Sequence, residues 1–440
     1  MYIYTVNRPK YLEALIEKKG NGLIKVITGL RRVGKSYLLF ELFRHHLLES
    51  GVSPDHIIAV ALDDDLNLKL RNPLELGKYI REKIHESHSQ YYVFLDEIQK
   101  VEPVRNPYLP DSKEKVTFID VLLGIQKIKN VDVYVTGSNS RMLSSEVLTE
   151  FRGRGDEIHV RPLSYSEFCD VYEDKRNAWR DYITYGGMPY VLSLQGHDAK
   201  SQYLKHLVEH TYISDVLDRN RIRAEKSVLD DLLNTVSSSV GSLTNPNKIA
   251  NTFASERKLQ INSTTIDSYI GHFVDAFLLE TAKRYDVKGR KYIGSLYKYY
   301  FTDVGLRNAR LNFRQNEESH IMENVIFNEL LYRGFDVDIG VVNHMRKIDG
   351  KQVRCTFEVD FVANKGGNRF YIQSALNVAS EEKRIQETNS LNSIKESFKK
   401  IVIVKDNIIP WHDEKGNTVL LETVGITLSS GTPAANDKVT

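Results

Sequence analysis

Residues 23–28, 57–62, 91–95 and 131–135 are apolar almost throughout rather than alternating, and residues 157–160 read as a fifth strand. Such runs belong to strands covered on both faces, as in a parallel sheet. Between them apolar residues recur at helical spacing. Residues 36–48 place Leu38, Leu39, Leu42 and Phe43 on one side, residues 74–84 follow an Asn72-Pro73 helix start, and residues 118–128 form a third segment. Strands alternating with helices predict a doubly wound α/β domain over residues 21–165, behind a short amphipathic helix within residues 1–20. After Pro162 the texture changes. Residues 166–240 are helical in pattern, rich in Tyr, Leu and charge, and broken at Gly186-Gly187-Met188-Pro189. Residues 244–305 read as short helices and a basic hairpin, 318–335 as a helix, and 355–376 as two strands around Asn364-Lys365-Gly366-Gly367. Residues 429–440 have the composition of a disordered tail.

The first strand runs into Gly29-Leu30-Arg31-Arg32-Val33-Gly34-Lys35-Ser36, which fits G-x-x-x-x-G-K-[ST] with a helix behind it. Glycines let the backbone wrap close to phosphate oxygens. Successive N–H groups and the helix N-terminus then face the anion. Lys35 is expected to reach the β and γ phosphates, and Ser36 to offer its hydroxyl to Mg2+. The third strand ends in Asp96-Glu97, at the sheet edge where open α/β folds bind ligands. Asp96 is the expected second partner of the metal, and Glu97 suits orienting or deprotonating an attacking water. Thr136-Gly137-Ser138-Asn139-Ser140 closes the next strand, with Asn139, and Ser138 close behind it, as the candidate γ-phosphate sensor. Arg154 or Arg152 is a candidate for stabilising charge on the transferred phosphoryl group, in its own chain or across a neighbour. Asp63-Asp64-Asp65 reads as a solvated loop.

Taken together, GLRRVGKS, VFLDE, VTGSNS and GRGDEIHVRPLSYSEF resemble a large group of bacterial and archaeal ATPases of the AAA class, and DYITYGGMPY (181–190) and YYFTDVGLR (299–307) do so as well. The resemblance spans roughly residues 10–405. It implies an ATP-binding P-loop core at 21–165, a helical lid at 166–215, a winged-helix region at 216–310 and a restriction-endonuclease-like α/β domain at 311–428. Within that last region Glu323, Glu329, Asp360 and Gln373 are similar in order to a magnesium-dependent nuclease of the PD-(D/E)xK type. Gln373 stands where an acid is wanted and Ala375 where a lysine is wanted, so cleavage is not expected; Lys383, on a neighbouring helix, is the candidate substitute.

Composition narrows the partners. With 60 Lys+Arg against 58 Asp+Glu the formal charge is +2, so any nucleic-acid affinity must be local. Lys283, Arg284, Lys288, Arg290, Lys291 and Lys298 crowd the hairpin and could touch DNA phosphates. The two cysteines, Cys169 and Cys355, lie far apart, and there is neither a secretory signal nor an apolar run of membrane-spanning length. A cytoplasmic protein is expected, with ATP and Mg2+ as cofactors and a protein partner or second copy also open. Glu97 beside Asp96 favours water over a kinase's acceptor, and residues 21–165 hold no N-K-x-D guanine signature. Two readings result: an ATP hydrolase driving a C-terminal DNA- or protein-binding module, and a DNA-binding regulator that uses ATP as a switch with little turnover.

Overall fold

The computed structural model describes residues 6–85, 89–109, 111–137, 153–213, 216–217, 226–314, 317–348, 351–378, 380–405 and 419–423. They fall into two compact units. The first is residues 5–161 with 275–277; the second is residues 162–274 with 278 onward.

The first unit carries β1 (Ile24–Thr28), β2 (Ile57–Ala61), β3 (Tyr91–Asp96), a small hairpin of β4 (Val104–Arg105) and β5 (Lys115–Val116), β6 (Val131–Thr136) and β7 (Gly155–His159). Five of these form one sheet in the order β2-β3-β6-β1-β7, every pair parallel. β1 and β3 are buried along their whole length, as continuous apolar runs require. The parallel register sends all five C-terminal ends to one edge, which carries both the phosphate loop and Asp96. The helix after the loop continues to Glu49 through a widened turn at Leu38–Phe43. There Phe43 packs on Phe94 of β3 and Tyr134 of β6, at ring separations of 5.8 and 5.0 Å, and seats the helix on the sheet.

The second unit is built on a seven-stranded sheet of β8 (Leu279–Asp286), β9 (Lys291–Phe301), β10 (Asp336–Ile348), β11 (Lys351–Lys365), β12 (Asn368–Ala375), β13 (Lys399–Val404) and β14 (Val419–Thr423). Its order is β14-β13-β12-β11-β10-β8-β9. The sequence places a boundary at residue 310. The sheet runs across it, because Arg284–Asp286 of the basic hairpin pair with Ile339–Val341 of β10.

The Gly-Gly-Met-Pro and Thr-Asp-Val-Gly motifs meet inside this unit. Asp303 is buried and accepts hydrogen bonds from the N–H of Gly187 (2.6 Å) and of Leu306 (3.0 Å). A Cβ on Gly186 would lie 2.2 Å from the Asp303 carboxylate, and one on Gly305 would lie 2.0 Å from the Tyr185 carbonyl oxygen. Asn308 adds bonds to the carbonyls of Ile183 and Thr184, at 2.8 and 3.0 Å. These motifs are therefore an interlock that only glycine fits.

Candidate nucleotide site

Gly29 leaves β1 at φ 136°, and a Cβ there would sit 2.1 Å from the Val160 carbonyl oxygen. Gly34 follows at φ 93° and opens the helix. Arg32, between them, also takes a left-handed conformation at φ 68°. Leu30 and Val33 point into the core and anchor the loop, while Arg31, Arg32 and Ser36 are exposed. Lys35 is buried, and its ammonium donates to the carbonyls of Gly29 (3.0 Å) and Leu30 (2.8 Å). The loop thus curls around its own lysine.

A second cation holds the loop from outside. Arg8, buried at the start of the first helix (Pro9–Glu17), donates to the Val33 carbonyl at 3.2 Å and to the Arg161 carbonyl at 2.7 Å. Its guanidinium lies over the Tyr11 ring, and the Tyr11 hydroxyl accepts the Arg161 N–H. Arg8 ties the phosphate loop to the chain leaving β7. Nothing in a single sequence separates this arginine from a surface one.

Asp96 and Glu97 stand on the same edge, two strands from β1, or about 10 Å at ordinary strand spacing. Thr136 of the intervening β6 links them. Its hydroxyl donates to Asp96 and accepts the Glu97 N–H at 3.2 Å. Asp96 and Thr136 are both buried. Glu97 takes a left-handed backbone, φ 52° and ψ 48°, and its carboxylate accepts a hydrogen bond from the Gln99 side-chain amide. A carboxylate and a serine hydroxyl are hard oxygen donors of the kind Mg2+ takes.

Beneath the loop, the Thr28 hydroxyl donates to Glu157 at 2.6 Å and meets His159 Nδ1 at 3.0 Å. Burial, followed by the positive charges of Arg161 and Lys35, pushes His159 down to about 3, so its imidazole is neutral at physiological pH.

The structure thus brings together Gly29, Leu30, Arg31, Arg32, Val33, Gly34, Lys35, Ser36, Asp96 and Glu97. Asn139, Ser138 and Arg152 lie outside the described residues. Arg154 lies apart from the loop of its own chain. The Ile24 N–H donates to its carbonyl, and Ile24 pairs with Gly155 at the start of both strands. Arg154 therefore sits at the N-terminal edge of the sheet, one five-residue strand or about 16 Å from the phosphate loop. It cannot reach a phosphate bound in its own chain. Asp64 accepts the Leu66 N–H and caps a short helix.

In the second unit, four of the residues read from sequence part company. Glu323 and Asp360 share a buried cluster with Glu358, and Lys298 fills its centre, 2.8 Å from Glu323 and 2.7 Å from Glu358. Burial alone would push Lys298 down. The Glu323, Asp360 and Glu358 carboxylates more than reverse that and hold the ammonium above its usual range. Asp360 is held well above the carboxylate range, first by burial and then by Glu323. Gln373 only borders the cluster, at 3.4 Å from the Asp360 N–H. Glu329 is elsewhere, paired with Arg333 at 3.1 Å and raised by burial to about 7. Six residues along a helix is 240° around it, so Glu323 and Glu329 face different ways. Lys383 is exposed and bonds to Asn377. Lys298 is a correction to the basic patch, since it is 3% exposed and unavailable to DNA. Lys283, Lys288, Arg290 and Lys291 are exposed, whereas Arg284 is half-buried. Among the described residues no helix is long and apolar enough to cross a membrane.

An AAA-domain family profile matches residues 21–169, and a second profile, for a domain of unknown function, matches residues 176–317. An uncharacterized protein of Haemophilus influenzae is 31% identical over 404 residues, covering 90% of this chain and 93% of that protein. One of Methanocaldococcus jannaschii is 29% identical over 415 residues, covering 89% and 82%. Among solved structures, a Walker-type ATPase of Pyrococcus abyssi aligns over 70% of this chain and 96% of its own at 12% identity, with a TM-score of 0.45.

Proposed function

We propose that this chain, which belongs to the same family as the Haemophilus influenzae protein and carries an AAA domain at residues 21–169, is a magnesium-dependent ATP hydrolase. One observation carries the reading: a glycine-gated loop curled around the buried Lys35 ammonium, on the same sheet edge as Asp96 and Glu97.

Each group has a task that its position suits. Lys35 exchanges its bonds to Gly29 and Leu30 for phosphate oxygens, and the loop's N–H groups take up the rest of the anion. Ser36 and Asp96 would hold Mg2+, which supplies charge neutralisation to the phosphates when bound. Thr136 fixes Asp96 and the Glu97 main chain together. Glu97 accepts the proton of the attacking water. Arg8 and Tyr11 keep the loop in shape through Val33 and Arg161. The test is release of inorganic phosphate from ATP. Turnover by the wild type that stops in Glu97→Gln while ATP binding persists supports the reading; undiminished turnover in Glu97→Gln refutes it.

The second unit is read as the binding module. Helices Pro246–Glu256 and Ser263–Asp275 precede the β8–β9 hairpin, and Thr244 bridges to Tyr297, an order suited to a winged helix. Helix Ser263–Asp275 contains no lysine or arginine and exposes Asp267, whereas the hairpin exposes Lys283, Lys288, Arg290 and Lys291. DNA contact would then be through phosphates, without base reading. Retention on DNA should fall steeply with salt and should be lost when those four residues are neutralised. Nuclease chemistry is read as lost, because Ala375 packs in the core and Lys298 occupies the space between Glu323 and Glu358.

A further inference from the structure

We infer that Gln99 is a positioning residue for Glu97, fixing the direction in which that carboxylate is presented. The inference rests on the hydrolase reading and adds to it a group outside the phosphate loop and the Asp-Glu pair.

Gln99 lies in the short turn Ile98–Lys100, directly after Glu97. Two anchors fix that turn from below: Ile98 and Val101 are both buried in the core of the first unit. Two main-chain bonds close it, from the Lys100 N–H to the Glu97 carbonyl (2.9 Å) and from the Val101 N–H to the Ile98 carbonyl (3.0 Å). The Gln99 side chain therefore starts from a rigid base. Its Nε2 donates to Glu97 Oε2. The Glu97 main chain is fixed separately, by its N–H bond to Thr136 at 3.2 Å. A glutamate has three side-chain torsions, and a carboxylate serving as a base must present one oxygen in a narrow direction. Thr136 settles where the side chain begins, and Gln99 settles where it ends. The Gln99 amide is uncharged, so it orients the carboxylate without neutralising it as a lysine would.

The test compares wild type, Gln99→Met, Gln99→Ala, Glu97→Gln and the Glu97→Gln/Gln99→Met double variant, with thermal melting as the control for folding. Methionine keeps the length of the side chain and removes the donor; alanine serves if methionine disturbs the turn. Misaligning a catalytic group by about 1 Å costs up to about a hundredfold. Gln99→Met should therefore lower kcat for ATP between about tenfold and a hundredfold, with KM and the affinity for a non-hydrolysable ATP analogue unchanged. In the Glu97→Gln background the same substitution should have no further effect. Wild-type kcat in Gln99→Met overturns the inference. So does a change in KM alone, or an equal loss of rate in both backgrounds. Absence of ATP turnover in the wild type, or normal turnover in Glu97→Gln, is a different result: it removes the hydrolase reading itself.

Discussion

The neutral imidazole under the phosphate loop makes a quantitative prediction about acid stability. His159 is held at about 3 in the folded chain, against an ordinary value near 6.5. Its folded value lies below its unfolded one, so between pH 6.5 and 3 the unfolded chain carries a proton that the folded chain refuses. Stability from this group is complete above pH 6.5 and falls as pH drops through that window. The slope is about 1.4 kcal/mol per pH unit, or about 2 kcal/mol between pH 6.5 and pH 5. His159→Gln stays neutral throughout and keeps an amide within reach of Thr28. The assay is urea unfolding of the first unit's sheet by circular dichroism at several pH values from 7.5 to 5, with the loss for each protein measured from its own value at pH 7.5. Glu157, Arg161 and Lys35 surround the same position in both proteins, so the comparison isolates the imidazole. The wild type should lose about 2 kcal/mol more than the variant by pH 5. Parallel losses would mean that His159 accepts its proton as readily folded as unfolded, and the argument from burial would fail.

Gly29→Ala drives a methyl group to 2.1 Å from the Val160 carbonyl at a φ that alanine resists; ATP affinity should fall at least tenfold, by equilibrium titration, with the rest of the fold intact by circular dichroism. Lys298→Met strips the cation from Glu323, Glu358 and Asp360; unfolding free energy should drop by about 3 kcal/mol at neutral pH and recover partly at lower pH as the carboxylates take up protons. Arg154→Ala should leave ATP turnover per chain unchanged in dilute solution, since that residue lies at the opposite sheet edge from the loop.

How far the sequence could be read depended on the range of the interaction. β2, β3 and β6 appear within a residue of their expected ends because each is a continuous apolar run between polar breaks. β7 starts two residues early, at Gly155-Asp156, a dipeptide that reads as a turn but is paired along β1. The phosphate loop and the Asp-Glu pair are local motifs and were legible for that reason. For Arg154 the sequence left open action within its own chain or across a neighbour, because nearness in sequence to β7 says nothing about which end of the sheet it joins; the parallel register puts it at the end away from the loop. Lys298 sits in a basic run and looks like its neighbours, yet its partners are 25 and 60 residues away. Arg8 and Thr136 act through main-chain atoms and a carboxylate on other elements, contacts that a motif does not encode.

On the proposed reading, residues 29–36 grip a triphosphate with Lys35 as the cation. Isothermal titration of Mg2+ with a non-hydrolysable ATP analogue, comparing wild type with Lys35→Ala, tests it most directly. Saturable one-to-one binding by the wild type, lost in a variant that remains folded, is the predicted result. Equal affinity in the two proteins, or no binding by the wild type, would contradict it.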